Sequence, residues 1–159
     1  MYHLTDILYN LPNWDAIGKI VVDDSEEWIL IEAKAHIEEL ESECGAKEKG
    51  GLPKIRHAFQ QTMDDLGIST PINNWLKPYY QYANRLAVLS FLRKYDIKAR
   101  LVNIYFVGDL NRKGWTSPGS IEEWHKPLSL LESHLGLSAG HKLMPFIHNL
   151  YLDIAGDEP

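Results

Sequence analysis

The stretch PNWDAIGKIVVDDSEEWILIEAKAHIEEL, residues 12–40, decides the fold. AIGKIVV (16–22) and EWILIEA (27–33) are rich in Val and Ile, the composition of β-strands. Asp23-Asp24-Ser25-Glu26 between them is a cluster of turn formers, so the pair is predicted to form a β-hairpin. With the turn centred on Asp24-Ser25, Asp15 falls opposite Lys34 and Ile17 opposite Glu32. Directly opposed residues of an antiparallel pair point to one face. Glu32 and Lys34 share that face because side chains alternate along a strand. The hairpin is therefore expected to gather Asp15, Glu32 and Lys34 on one patch, and a register change of one residue would scatter them.

Outward from the hairpin, the period changes. Ile37, Leu40 and Cys44 recur at helical spacing and predict a short helix after the second strand. GAKEKGGLP (45–53) is a charged, Gly-rich loop, the segment expected to move most. A helix is predicted over 52–66, with Pro53 in its first turn and Gly67 past its end. Residues 68–74 read as a connection. The longest helix is predicted over 77–95, with Pro78 at its start, because an interior proline removes a hydrogen bond and clashes. ARLVNIYFV (99–107) reads as a strand. Ser120 can cap a helix running to about His134, closed by Gly136. MPFIHNLYLDI (144–154) reads as a last strand. The order β-β-α-α-α-β-α-β places the chain in the α/β class: a central mixed sheet entered by a hairpin and flanked by helices. The 159 residues fit a single domain.

Composition narrows the function classes. Hydrophobic residues make up 45% and charged residues 24%, which argues against disorder and low-complexity structure. No apolar run approaches the roughly 18 residues of a membrane span. MYHLTDIL lacks a basic n-region and an apolar h-region, so no signal peptide is expected. The single Cys44 has no internal disulfide partner and no zinc constellation around it, so a cytoplasmic, reducing compartment is expected. The net charge of −6 disfavours nucleic acid when taken alone. Its distribution is uneven, with 12 acidic against 4 basic residues in 1–50 and 8 basic against 4 acidic in 51–110. An acidic first third joined to a basic middle suits a metal-dependent enzyme acting on a phosphodiester.

Two carboxylates and a lysine on one patch carry chemistry. Hard oxygen ligands select Mg²⁺ or Mn²⁺ over zinc, and Mg²⁺ takes one or two protein carboxylates with water and phosphate oxygens completing its shell. An adjacent lysine can orient an attacking water or neutralise a phosphate oxygen. Gln81, Asn84 and Arg85 are spaced i, i+3, i+4 and share a helix face that can meet phosphates or groups around the metal. His36 and Glu39 form a polar pair beside the motif. Trp75, Tyr79, Tyr80 and Tyr82 are an aromatic cluster expected in the core.

Asp15 followed by Glu32-Ala33-Lys34 at the end of a hairpin's second strand resembles the PD-(D/E)xK nuclease superfamily, the restriction-endonuclease-like fold. The segment is similar to small members of that group, and the later helix, strand, helix and strand follow in the same order. The resemblance implies Asp15 and Glu32 as metal ligands, the carbonyl of Ala33 as a backbone ligand and Lys34 as the catalytic lysine, with Mg²⁺ or Mn²⁺ as cofactor. The sequence departs from the pattern in two ways. The signature proline is Pro12, not adjacent to Asp15, and the region before Asp15 holds Asp6 as its sole carboxylate. Gln81 matches a glutamine of RecB-like members, but the tyrosine four positions on is here Arg85.

The reading from sequence is a metal-dependent nuclease hydrolysing DNA phosphodiester bonds through a metal-activated water. Lys47 and Lys49 in the Gly-rich loop are its candidate phosphate contacts. The alternative is a non-catalytic binding or scaffolding module with a nuclease-like fold, acting in a larger complex. Nucleic acid is the expected partner, no membrane is, and two-strand cleavage would favour a homodimer or a partner subunit.

Overall fold

The computed structural model describes residues 13–154, and Asp6 therefore lies outside the described residues. The hairpin is present as β1 (Ala16–Val22) and β2 (Ser25–Lys34). Its turn is Asp23-Asp24 alone, with φ of 49° and 60°. Two consecutive residues at positive φ make the I′-type turn that matches strand twist, and Asp tolerates that region better than most residues. The pairing Val22↔Ser25, Ile17↔Leu30, Ala16↔Ile31 replaces the expected one by a two-residue shift. Continued by one residue, it sets Asp15 against Glu32 instead of Lys34. Because the shift is even, the alternation of faces along the two strands is unchanged.

The segment after β2 is a single 3-10 turn, Ile37–Leu40, and not an α-helix. Glu39 Oε1 accepts from the amides of Ala35 and His36 at 3.0 and 2.9 Å, which closes the turn, and the chain leaves extended at Glu41. Helix α1 (Leu52–Leu66) agrees with the sequence reading. The expected connection holds a further short helix, α2 (Asn73–Leu76), which buries Trp75. Helix α3 (Tyr80–Lys94) starts two residues after Pro78. Its first turn is capped from a distance: the amides of Tyr80 and Gln81 donate to the carbonyl and hydroxyl oxygens of Ser42 at 3.1 and 2.8 Å. β3 (Ala99–Val107), α4 (Ile121–Leu135) and β4 (Ile147–Asp153) complete the chain, with Met144–Phe146 forming a 3-10 turn before the last strand.

The sheet order is β1-β2-β3-β4. β1 and β2 are antiparallel, and β2, β3 and β4 run parallel. The protein is thus an α/β protein built on a four-stranded mixed sheet. The odd positions of β3 are buried from Ala99 to Val107 and meet the apolar side of α3 and α4 through Leu86, Leu89, Trp124 and Leu131. Two indoles anchor the core with their N–H groups satisfied, Trp75 on the carbonyl of Leu135 and Trp124 on that of Phe106, both at 3.0 Å. Among the described residues no helix is long and apolar enough to cross a membrane.

Gly136 ends α4 in the left-handed region, at φ +76°. A Cβ there would stand 2.6 Å from Thr70 Cγ2, and Thr70 is held by its own bond to the Leu135 carbonyl at 3.1 Å. Gly136→Ala is expected to destabilise the fold by about 1–3 kcal/mol through backbone strain and this clash, read as a lower urea midpoint.

Candidate metal and phosphate site

Glu32 and Lys34 meet at the end of β2, under α3, and the exposed Asp15 reaches the same strand end through the amide of Ala33. Glu32 is buried in the face of β2 that α3 covers. An ionised carboxylate in that position requires partners. Lys34 Nζ lies 2.5 Å from Glu32 Oε1, and Arg85 Nε donates to Oε2 at 2.8 Å with a second guanidinium nitrogen at 2.7 Å. Arg85 is itself buried, at 2% exposure. Its guanidinium also donates to the carbonyl of Asn13 at 2.6 Å and lies 4.3 Å over the ring of Trp14. That contact ties the segment entering β1 to the site. Asp15 follows, and its Oδ2 accepts from the amide of Ala33 at 2.7 Å. The carboxylate takes the place of a ladder carbonyl at the end of β1.

A cavity of about 20 Å³ lies between the sheet and α3, lined by Glu32, Lys34, Gln81, Arg85, Asn103 and Tyr105, among others. It is large enough for one water. A wider groove of about 540 Å³ lies on the outer side of Arg85, between Asn13, Ser42, Tyr80, Gln81 and Asn84. The hydroxyl of Tyr80 accepts from Asn84 Nδ2 at 3.2 Å. Burial pushes the phenols of Tyr82 and Tyr105 well above their usual range, so they remain neutral hydroxyls beside Glu32.

The structure brings together Glu32, Lys34, Gln81 and Arg85 around one cavity, while Asp15 contacts the amide of Ala33 and does not line it. It places Arg85 on Glu32, buried, where it orients the carboxylate and does not face solvent. His36 sits next to the motif but is engaged elsewhere. Its Nδ1 lies 3.2 Å from Glu39, and its Nε2 lies 3.1 Å from the Leu110 carbonyl and 3.8 Å from Asp109. The ring packs edge-on to Trp115. It fastens the 109–116 loop to the turn after β2. Lys47 and Lys49 are exposed in the Gly-rich loop and line neither opening.

Sequence reasoning missed Asn103 and the Trp14 contact. Asn103 is 3% exposed, stands beside Glu32 in the parallel register and donates to Asn149 Oδ1 at 2.9 Å. Its signal was present: it is the one amide of ARLVNIYFV, and the one polar residue of that run once Arg100 and Tyr105 are set aside.

The donor set fits Mg²⁺ or Mn²⁺ and not a zinc cage. Among the described residues no group of three or more His, Cys, Asp or Glu side chains is arranged to hold a metal. Asp15 and Glu32 carry the hard oxygens that Mg²⁺ takes, and in the structure Glu32 Oε1, Glu32 Oε2 and Asp15 Oδ2 are engaged by Lys34, Arg85 and the Ala33 amide. Glu32 Oε2 is fixed by the buried Arg85. Oε1 is held by Lys34, whose long stem can swing and release it. Compared with known proteins, the chain matches no family model, no curated protein and no solved structure.

Proposed function

We propose that the chain is a metal-dependent nuclease of the PD-(D/E)xK type, with a restriction-endonuclease-like fold, hydrolysing DNA phosphodiester bonds. The observation that carries the reading is the convergence at one hairpin end. Asp15 is bonded to the amide of Ala33, and the Lys34 ammonium rests on Glu32. A mixed sheet entered by a hairpin is consistent with that fold. Asp15, Glu32 and the Ala33 carbonyl would hold Mg²⁺ or Mn²⁺. When bound, the ion would neutralise charge on the scissile phosphate and acidify water. Arg85 keeps Glu32 in one orientation. Lys34, released from Oε1, would offer its ammonium protons to a phosphate oxygen or to the attacking water. Phosphate ester hydrolysis is slow enough to demand on the order of 20 kcal/mol from a site, and charge neutralisation with positioning is the effect of that size.

A second reading, a non-catalytic module with this fold, is favoured by one observation. Both oxygens of Glu32 are already bound by cations of the chain itself.

Metal titration separates the two. Mn²⁺ is expected to raise the melting temperature by binding the folded chain and not the unfolded one, with about 2.7 kcal/mol gained at a hundredfold excess over Kd. Asp15→Asn should remove most of that gain and, in a plasmid nicking assay, the cleavage. An unchanged melt in millimolar Mn²⁺ would reject the nuclease and leave the module.

A further inference from the structure

The sheet has a second face that the core does not use. In the register, Ile29, Ile31, Val102, Ile104 and Phe106 point away from the helices. Among the described residues, none of these five belongs to the buried core cluster or to the side chains packed against it. Ile20 on β1 and Leu150 and Leu152 on β4 extend the same face to both edges, at 43%, 48% and 44% exposure. The charges on this face, Glu27, Arg100 and His148, lie towards one end and are bonded to one another at 2.8 and 2.9 Å. The centre therefore carries no charge. Parallel strands with apolar residues on both sides belong to sheets covered on both faces, and a contiguous apolar patch, half-buried at its centre and exposed at its edges, marks a contact surface.

We infer that this face is the interface of a homodimer, formed by two sheets packed face to face. A covering surface must be flat, apolar and uncharged in its centre, because a charge set against these side chains would be buried without a partner. A second copy presents such a surface, and pairing one patch with itself is the commonest oligomer symmetry. Aligned sheets pack in this way about 10 Å apart. The size also suffices. Four strands about 4.8 Å apart and some 23 Å long give roughly 450 Å² of projected sheet per copy. Pleated, side-chain-covered surface exceeds its projection, so the pair reaches the roughly 1,000 Å² that a specific interface needs.

Sedimentation equilibrium of the full chain across the micromolar range tests this. The wild type should be a dimer whose dissociation constant barely changes as NaCl rises, since apolar contact is not screened. Ile104→Lys at the centre and Leu150→Glu on exposed β4 should each weaken it at least about 100-fold, the effect expected for burying an unpaired charge. Circular dichroism should show both variants folded. If Ile104→Lys fails to fold, Leu150→Glu, half-exposed in the protomer, decides alone. A monomeric wild type, a dimer that survives Leu150→Glu, or one that dissociates with salt would overturn the inference. None of these results bears on metal binding or cleavage, so the nuclease reading is judged separately.

Discussion

Lys34→Ala is expected to lower plasmid cleavage by about 10²- to 10⁴-fold, the range for removing a group that moves or holds a proton at the reacting centre. The fold should survive, because Glu32 keeps its two contacts with Arg85. Metal binding should survive as well, and should tighten if anything, since Lys34 is the cation that competes for Oε1. If the lysine is only an ion-pair partner, the substitution should leave cleavage intact and cost only stability, by more than the roughly 1 kcal/mol of an exposed pair because both partners are largely buried. A nicking assay run beside a thermal melt reads both quantities. Unchanged cleavage with a normal Mn²⁺ response would remove Lys34 from the mechanism.

Arg85→Leu is expected to be the most destabilising single change in the site, at about 3–5 kcal/mol, the range for breaking a buried ion pair from one side. Glu32 would be left in an apolar wall with Lys34 as its sole counter-ion, and the carbonyl of Asn13 would lose its donor. The double variant Glu32→Leu/Arg85→Leu should recover much of the loss, because neither charge remains to be compensated. Urea unfolding of both single variants and the pair measures the coupling. A single variant as stable as the wild type would show that the Arg85–Glu32 contact does not hold the fold together.

Much of the architecture was legible because its signals are local. Val- and Ile-rich runs on either side of Asp23-Asp24 mark the hairpin, and Gly67 and Gly136 mark the ends of two helices. The register was misplaced because Ser25 was taken into the turn, whereas positive φ is confined to Asp23 and Asp24. The error was even, so the alternation of faces along the two strands is unchanged. The Arg85–Glu32 pair was not legible: 53 residues separate the partners, and helical spacing says which face Arg85 occupies but not what that face meets. His36 shows the same limit. Its pairing with Glu39 is visible at i+3, while its contact with the Leu110 carbonyl, 74 residues away, is not. The α2 turn was hidden in a run of Pro and Asn, with only Trp75 to announce a buried element.

The order of assembly follows from the parallel pairing of β2 with β3. The hairpin contact of Asp15 with Ala33 closes over 18 residues, whereas Arg100 meets Glu27 across 73. Closing the larger loop is slower, and chains dominated by such distant contacts fold slowly. The hairpin can therefore exist before α3 and β3 arrive, carrying Glu32 and Lys34 in water as an ordinary surface pair. Only when the sheet closes does Glu32 leave solvent and Arg85 become necessary. A chain emerging from the ribosome would carry the Glu32–Lys34 pair early and bury it against Arg85 late, so the carboxylate is never left in an apolar wall without its counter-ion.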